Sequence, residues 1–311
     1  MRVGIVGPGR AGTSMAVALD RAGYTIGAVF GRTPDSALRL AESVEGSAPA
    51  ICGSLSEILD VSDLVVLSVP DSRIRDVADR LAASAEASVG FDRKLVIHLS
   101  GSLGNDVLDS LSRRGIAVGG FHPVRAFPHP SAPDADLSGT FFGLEGDEEV
   151  ILRLRDLALS LNGVALEIDP GSKSLYHAAA CVAANYSVAL AEAALHLFQR
   201  SGIGEEHRRS LVISLMEQTV RNLRERHPYE VLTGPVSRGD SCTVQRHAES
   251  MAEDARPEVS QLYRALGEWT ALRSFEWGRI SSSQYQDVMA ALSSIGERGC
   301  QRSSSSEGES L

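Results

Sequence analysis

The sequence predicts an α/β fold in which a doubly wound parallel sheet is followed by an all-helical second domain. In the first half of the chain, short β-branched and apolar segments alternate with helix-forming segments, a pattern typical of a parallel sheet covered on both faces. After Pro170 no strand pattern recurs, and helix-forming segments follow one another. We therefore expect one domain at 1–168, a second at 169–300, and a polar, disordered tail at 301–311.

The segments of the first domain each carry a local signal. The apolar run from Leu64 to Val69 is typical of a strand buried on both faces. Ser54 and Glu57 have the spacing of a capping box at the start of a short helix. Strands are expected at 2–6, 24–30, 50–52, 64–69, 94–99, 116–121, 141–144 and 164–168, and helices at 13–22, 35–43, 147–161, and beginning at 54 and at 74.

The second domain is expected to consist of five helices. Gly202 and Gly204 end the first of them and Pro228 ends the second, because glycine and proline interrupt helices. The helices are expected at 172–201, 205–226, 243–254, 258–275 and 281–295.

The composition excludes several classes of protein. A net charge of −10 and a pI near 5.3, with no run of lysine or arginine, argue against a nucleic-acid-binding surface. The four cysteines are widely spaced and form no CxxC or Cys/His ligand pair, so we expect neither disulfides nor a metal site. No signal peptide precedes the first strand, and we expect a cytoplasmic protein.

One apolar segment, 178–198, is long enough to suggest a membrane span. It contains Asn185, Glu192 and His196 and is rich in alanine, which is unfavourable for a helix in lipid. We predict a buried central helix instead, and no membrane partner.

A glycine-rich turn connects the first predicted strand to the first predicted helix. A strand runs directly into GPGRAG at 7–12, and a helix follows. Gly7 permits the tight turn, Gly9 lets a pyrophosphate approach the backbone, and Gly12 lets helix and strand pack closely. This context indicates the Rossmann type of dinucleotide site, as opposed to a glycine turn that binds nothing. The predicted cofactor-binding residues of the turn are Gly7, Pro8, Gly9, Arg10, Ala11 and Gly12.

The end of the second strand indicates which dinucleotide binds. NAD-binding folds usually place a carboxylate about 20 residues past the glycines, to hold the ribose 2′-hydroxyl. Here Arg32 lies 20 residues beyond Gly12, and no carboxylate stands between Tyr24 and Pro34. A guanidinium suits a 2′-phosphate, and Thr33 adds a hydroxyl donor while also being placed to cap the next helix. We therefore predict NADP; the alternative is a solvated arginine beside an ordinary helix cap.

Three further loops are candidates for ligand binding, because ligands bind outside the carboxyl ends of parallel strands. Val69 and Pro70 follow the fourth strand, and Asp71 after them is expected to cap a helix. Ser100 and Gly101 follow the fifth strand and are predicted to contact nicotinamide or substrate. In the third loop His122 is predicted to orient substrate or to act in catalysis, with a rigid inter-domain connector as the alternative. His98, inside the fifth strand, is expected to be a core histidine.

The helical domain supplies further candidates. Lys173 and His177 are four residues apart and share a helix face, and Asn185 lies near the same stripe. These three polar side chains are costly to bury without partners, which favours a catalytic role. The alternative is an exposed Lys173, with the other two bonded across the bundle. Arg238 is a candidate anion-binding residue for substrate, unless Asp240 is its ion-pair partner.

With these segments placed, the chain resembles bacterial proteins that join a Rossmann-like NADP domain to a helical domain of unknown function. The matching segments are GPGRAG, 121–123, 173–177 with 185–186, and 232–240. The family is similar to the 6-phosphogluconate-dehydrogenase-like superfamily, which includes β-hydroxyacid dehydrogenases, pyrroline-5-carboxylate reductase and ketopantoate reductase.

The resemblance implies an NADP-dependent oxidoreductase. The superfamily often has a lysine proton donor at the position of Lys173 and an asparagine at that of His177, so this chain departs from the pattern there. The resemblance makes 2-dehydropantoate the single best substrate guess and implies a homodimer formed through the apolar helices. The alternatives are a non-catalytic NADP-binding regulator and an F420-dependent NADP reductase, the second without any recognisable deazaflavin site.

Overall fold

The computed structural model describes residues 1–84, 94–127, 136–252 and 256–295. The predicted tail and Cys300 lie outside the described residues. Contacts within the chain divide it into two compact units, Met1–Tyr186 and Ser187–Leu311.

An eight-stranded sheet runs through the first unit. Its spatial order is β3-β2-β1-β4-β5-β6-β7-β8, and all neighbouring strands are parallel except β6 and β7, which are antiparallel. The predicted doubly wound Rossmann fold is therefore confirmed, with one antiparallel pair in an otherwise parallel sheet. The strands are β1 (Arg2–Val6), β2 (Thr25–Phe30), β3 (Ala50–Ile51), β4 (Leu64–Leu67), β5 (Leu95–His98), β6 (Ala117–Pro123), β7 (Phe141–Glu145) and β8 (Val164–Glu167).

Seven α-helices are described in the first unit. They are α1 (Arg10–Arg21), α2 (Pro34–Ser43), α3 (Leu55–Val61), α4 (Asp71–Ser84), α5 (Asp109–Ser112), α6 (Glu148–Ser160) and α7 (Lys173–Ala180), with a 3-10 turn at Asn105–Leu108. The helix α1 begins three residues earlier than predicted, directly after Gly9. Its first N–H groups therefore belong to the glycine turn itself.

The core of the first unit covers both faces of the sheet. Strand β4 shows the arrangement, because Leu64 and Val66 pack into one cluster while Val65 and Leu67 pack into the other. Fully burying a side chain of this size stabilises the fold by roughly 1.5–3 kcal/mol. The continuous apolar run read from the sequence is thus a strand with no solvent face, and it holds the loops at its carboxyl end in fixed positions.

The long helix predicted at 172–201 is interrupted. Helix α7 ends at Ala180 and a five-residue π-helix, Cys181–Asn185, follows before α8 (Tyr186–Arg200). Lys173–Arg200 has the length and apolar composition of a membrane span, although only 6% of its most apolar window is buried. The predicted burial of this helix is therefore wrong for the single chain, in which Val188 is 71% exposed.

The second unit is helical. Its other helices are α9 (Glu205–Glu225), α10 (Pro228–Val231), α11 (Ser241–Ala252), α12 (Pro257–Glu276) and α13 (Ser282–Ser293), with a 3-10 turn at Val236–Arg238. A small core of side chains from α11, α12 and α13 surrounds Val244, Ala271 and Val288. Elsewhere the unit leaves large apolar side chains exposed, Trp269 among them.

Candidate functional site

The glycine turn has the geometry that a bound pyrophosphate requires. Gly7 adopts φ +96°, which L-residues rarely reach, and its N–H donates to the carbonyl of Phe30 at 2.9 Å. A side chain on Gly12 would overlap the carbonyl oxygen of Gly7. A Cβ on Gly9, in contrast, would meet no described atom within 4 Å, so this face of the turn is open to a ligand. Helix α1 begins at Arg10 and presents the N–H groups of its first turn there.

Arg32 and Thr33 lie beside this turn. Pro8 of the turn packs against Gly31, where a Cβ would come within 2.9 Å of its ring. Arg32 follows and is exposed at the end of β2. Thr33 is the residue before α2, as predicted, but its hydroxyl donates to Oγ of Ser36 at 3.1 Å and does not cap the helix. The predicted cap is therefore wrong in detail, and both side chains remain at the open surface of the turn.

Asp71 joins two loops at the carboxyl edge of the sheet. The prediction that it caps α4 is wrong: its carboxylate accepts hydrogen bonds from the hydroxyls of Ser100 at 2.9 Å and Ser102 at 2.7 Å. Val69, on the same loop, lies against Gly7, where a Cβ would come within 2.9 Å of its side chain. The glycine turn, the loop after β4 and the loop after β5 are therefore in continuous contact.

Ser100 mainly holds its own loop. The side chain is 6% exposed, and its hydroxyl accepts from the N–H groups of Ser102 at 3.2 Å and Leu103 at 3.1 Å. Together with the bond to Asp71, these contacts engage the hydroxyl fully. The predicted contact of Ser100 with a ligand remains a prediction, and it fits the backbone of Ser100 and Gly101 better than this hydroxyl.

A buried ion pair lies where the end of β7 meets the middle of β6. Lys173, the first residue of α7, is 3% exposed, and its Nζ is 3.2 Å from Oε2 of Glu145. Glu145 is paired with Gly120 across β6 and β7, and a Cβ on Gly120 would lie 2.5 Å from the lysine Nζ. The other carboxylate oxygen of Glu145 accepts from the N–H of Asn105 at 2.9 Å. The alternative of an exposed Lys173 is therefore wrong.

The lysine is held in place and yet has hydrogen-bonding capacity left. Although Nζ is close to Glu145, it has no aligned hydrogen bond within the described part of the chain. Burial lowers the pKa of Lys173, and the neighbouring Glu145 opposes that shift. A lysine with a lowered pKa and unengaged N–H groups gives up a proton more readily than an exposed lysine does.

Two histidines near the ion pair are neutral. Burial, followed by the charge of Lys173, lowers the pKa of His98 to about 3. His98 is completely buried in β5, as expected of a core histidine, and its Nδ1 accepts from the N–H of Ser100 at 3.2 Å. His122 is less buried; its burial and the same lysine charge lower its pKa to about 4.

His122 contacts two side chains of α7. Its Nδ1 is 2.9 Å from the hydroxyl of Tyr176, and its ring centroid is 6.0 Å from that of His177. A Cβ on Gly101 would lie 2.5 Å from the ring of His177 and 2.7 Å from Nε2 of His122. The histidines therefore lie against the loop that is tied to Asp71.

The predicted stripe on the long helix is partly correct. Lys173 and His177 both lie at the sheet edge, and Nδ1 of His177 is 3.8 Å from Sγ of Cys181. Asn185 ends the π-helix and is exposed, and no described contact joins it to the other two. The wider turn of a π-helix shifts its later residues around the axis relative to an α-helix, so the α-helical spacing assumed from the sequence misplaces Asn185.

Arg238 lies in the second unit, in the 3-10 turn before α11. The carboxylate of Asp240 is hydrogen-bonded to Thr243 and accepts from its N–H at 3.0 Å. The bond with the Thr243 side chain and then the bond with its N–H lower the pKa of Asp240, and the charge of Arg238 contributes less. In the part of the chain that the structure describes, no group of three or more His, Cys, Asp or Glu side chains is arranged to hold a metal ion.

Sequence reasoning missed Glu145, Tyr176 and the bridging role of Asp71. Glu145 gave a weak signal as the polar end of a short apolar strand, and Tyr176 lies one turn beyond Lys173. Their partners are distant in the sequence, so only the register of the sheet brings them together.

Two domain models match the chain. Residues 1–123 match a Rossmann-like domain, and residues 140–270 match a domain of unknown function, DUF2520. A Rossmann-like match followed by a DUF2520 match agrees with the resemblance found in the sequence. The glycine turn and His122 fall in the first match, whereas Glu145, Lys173 and Tyr176 fall in the second. No curated protein matches the sequence.

The fold is similar to that of several solved structures. A protein assigned as an NADP oxidoreductase from Bacteroides fragilis is 24% identical, over 88% of this chain and 98% of its own, with a TM-score of 0.71. An imine reductase from Myxococcus stipitatus in complex with NADP+ is 16% identical, over 95% and 99%, with a TM-score of 0.63. The pyrroline carboxylate reductase of Plasmodium falciparum with NADP bound is 14% identical, over 96% and 98%, with a TM-score of 0.54.

Proposed function

We propose that the protein is an NADP-dependent oxidoreductase that transfers a hydride between NADP(H) and a small carbonyl, imine or hydroxy compound carrying a carboxylate. The observation that carries the proposal is the line of contacts from the glycine turn, through Asp71 and Gly101, to His122. It joins a dinucleotide turn to a cluster of acid–base groups along the carboxyl edge of one sheet, where ligands of such folds bind. The reductases of similar fold support this class of reaction.

The cofactor fits the residues at the first part of this edge. The open face of Gly9 and the first turn of α1 suit a pyrophosphate, and Arg32 with Thr33 suits the 2′-phosphate that distinguishes NADP from NAD. Val69, Pro70 and the backbone of Gly101 lie further along the edge and would border the nicotinamide. When bound, NADPH supplies the hydride.

Lys173 is the proposed proton donor. In the reductive direction, the oxygen or nitrogen of the double bond gains electron density, and the lysine ammonium transfers one proton to it. Glu145 holds the lysine at the sheet edge, and the lowered pKa of Lys173 favours the transfer. His122 and His177 are proposed to contact the substrate beside Gly101. Asn185, proposed from the sequence to hold substrate, has no described contact that supports this role.

Arg238 is proposed to bind the carboxylate of the substrate, because a guanidinium pairs with a carboxylate through two parallel hydrogen bonds. Asp240, the alternative partner considered from the sequence, is hydrogen-bonded to Thr243 of α11, and Arg238 is exposed. Arg238→Ala should raise KM for a carboxylate substrate while leaving the affinity for NADPH unchanged. An unchanged KM would remove Arg238 from the site.

A second copy of this chain is the proposed macromolecular partner. Helix α8 exposes Val188 at 71% and Leu190 at 37%, and burying these side chains against a second copy would remove apolar surface from water. Light scattering should give the mass of a dimer for the wild type and a lower mass for Val188→Glu. A monomeric wild type would reject the dimer.

We also propose that the protein is cytoplasmic and that it has neither a nucleic-acid partner nor a membrane partner.

The experiment that tests the function is NADPH oxidation with a panel of small 2-oxo acids and cyclic imines. The panel begins with 2-dehydropantoate, which stays the single named candidate, and includes pyrroline-5-carboxylate. We expect steady NADPH consumption with at least one compound. Tight NADPH binding without turnover on the whole panel would favour a non-catalytic NADP-binding protein. Hydride exchange with a deazaflavin alone would favour an F420-dependent reductase.

A further inference from the structure

Tyr176 has no role in the function proposed above, although it contacts a residue of the site. We propose that Tyr176 is a positioning residue: its hydroxyl donates to Nδ1 of His122, fixes the imidazole proton on Nε2, and so directs an N–H donor at the substrate beside Gly101. The substrate contact rests on the proposed reductase function. The effect on the imidazole does not.

The phenol is placed for this bond by the sheet. Tyr176 Oη is 2.9 Å from Nδ1 of His122, and the two rings meet edge to face at 89° with centroids 5.6 Å apart. The hydroxyl lies against Gly143 of β7, where a Cβ would come within 2.6 Å of it. A residue with a side chain at 143 would displace the phenol, so the glycine is required for the contact.

The direction of the hydrogen bond follows from the acid–base strengths of the two groups. Burial raises the pKa of Tyr176 to about 12, so the phenol keeps its proton. The low pKa of His122 means that the imidazole is neutral and has one bare nitrogen. The imidazole nitrogen is a stronger base than the phenol oxygen, so the bare nitrogen is Nδ1 and the phenol donates to it. The imidazole proton is then on Nε2.

The opposite nitrogen faces the site. Nε2 lies beside Gly101, where a Cβ would come within 2.7 Å, and the contacts described for His122 include no hydrogen bond at this atom. A neutral imidazole with its proton on Nε2 donates one hydrogen bond to an oxygen or nitrogen of the substrate without adding charge. With the proton on Nδ1 it would present a lone pair to the same atom and repel it. One phenol oxygen therefore decides whether His122 attracts or repels the reacting group.

The second unit offers a matched control. Tyr263 Oη is 2.8 Å from Nδ1 of His247, and those rings also meet edge to face, at 84° with centroids 5.9 Å apart. This pair joins α11 and α12 and has the same chemistry as the first pair. Removing its hydroxyl tests what the loss of a Tyr–His hydrogen bond does by itself.

The experiment is ¹⁵N NMR of the histidine side chains in wild type, Tyr176→Phe and Tyr263→Phe, with His122 assigned from its absence in His122→Gln. In wild type we expect the Nε2-protonated form of His122. Tyr176→Phe should shift that resonance toward a mixture of tautomers and raise the pKa of His122, and Tyr263→Phe should leave both unchanged. If Tyr176→Phe does not fold, Gly143→Ala crowds the phenol and should move the same resonances.

Kinetics provide the second measurement. Once a substrate is found, Tyr176→Phe should lower kcat/KM by about 10- to 100-fold, the loss typical when the partner that orients a metal-bound imidazole is removed. Tyr263→Phe should change it less than twofold. An unchanged His122 tautomer and pKa in Tyr176→Phe would overturn the proposal, as would a wild-type His122 protonated on Nδ1. The expected NMR changes without turnover on any substrate would support the tautomer assignment and reject the reductase.

Discussion

The two ends of the sheet each hold a lysine, and the chain has only these two. At the amino end, Lys94 precedes β5 and its Nζ donates to the backbone carbonyls of Leu59 and Ser62, the second at 2.9 Å. At the carboxyl end, Lys173 is buried beside Glu145 without an aligned hydrogen bond within the described chain. The first lysine uses its N–H groups to hold a turn. The second is kept in place with N–H groups available, which is what chemistry requires.

The largest expected effect tests this difference between the lysines. Lys173→Met should lower kcat by about 10²- to 10⁴-fold, because a positioned proton donor is lost. It should also destabilise the fold by roughly 3–5 kcal/mol, because Glu145 stays buried without its partner. The double variant with Glu145→Gln should recover stability and not kcat. Lys94→Met should lower only the melting temperature. A large loss of kcat in Lys94→Met would contradict the different roles of the two lysines. Full activity in the double variant would contradict them too.

A second effect depends on pH. His98 and His122 have pKa values of about 3 and about 4 in the folded protein, against about 6.5 in an unfolded chain. Between pH 4 and 6.5 the unfolded state therefore binds more protons, so stability falls as the pH is lowered through this window. The slope is at most about 1.4 kcal/mol per pH unit for each histidine.

Urea unfolding at a series of pH values measures this slope. His122→Gln removes one titrating group and should make the slope shallower. The same slope in the variant would show that His122 is not held neutral by its surroundings.

The smallest expected effect is on the affinity for NADPH, and it distinguishes two carboxylates at opposite ends of the sheet. At the amino end Asp63 accepts from the N–H of Arg2 at 2.7 Å, whereas at the carboxyl end Asp71 ties the loops after β4 and β5 together. Loss of one such bond changes an equilibrium by about two- to tenfold. Asp71→Ala should therefore weaken NADPH binding by that amount, and Asp63→Ala should leave it unchanged. Calorimetric titration of NADPH measures both, and equal effects would mean that the Asp71 tie is only structural.

The parts of the site that the sequence predicts are those built from neighbouring residues. The turn from Gly7 to Gly12 lies between a strand and a helix, and Lys173 begins a helix, so local patterns are enough to find them. The Glu145 contact depends on the antiparallel pairing of β7, and the Tyr176 contact spans 54 positions. Neither pairing has a local signal. The sequence misplaces Asn185 because the π-helix that it ends has no signature that the sequence shows.

The central claim is that the carboxyl edge of the sheet binds NADP(H), and the measurement that tests it most directly is the titration of NADPH and NADH against wild type and Arg32→Asp. Arg32 is exposed beside the glycine turn, where a guanidinium pairs with a 2′-phosphate and a carboxylate pairs with a 2′-hydroxyl. We expect wild type to bind NADPH at least about tenfold more tightly than NADH, and Arg32→Asp to lose that preference, since one charge-assisted pair of this kind is worth about that factor. Equal affinities in wild type, or an unchanged preference in Arg32→Asp, would contradict the account.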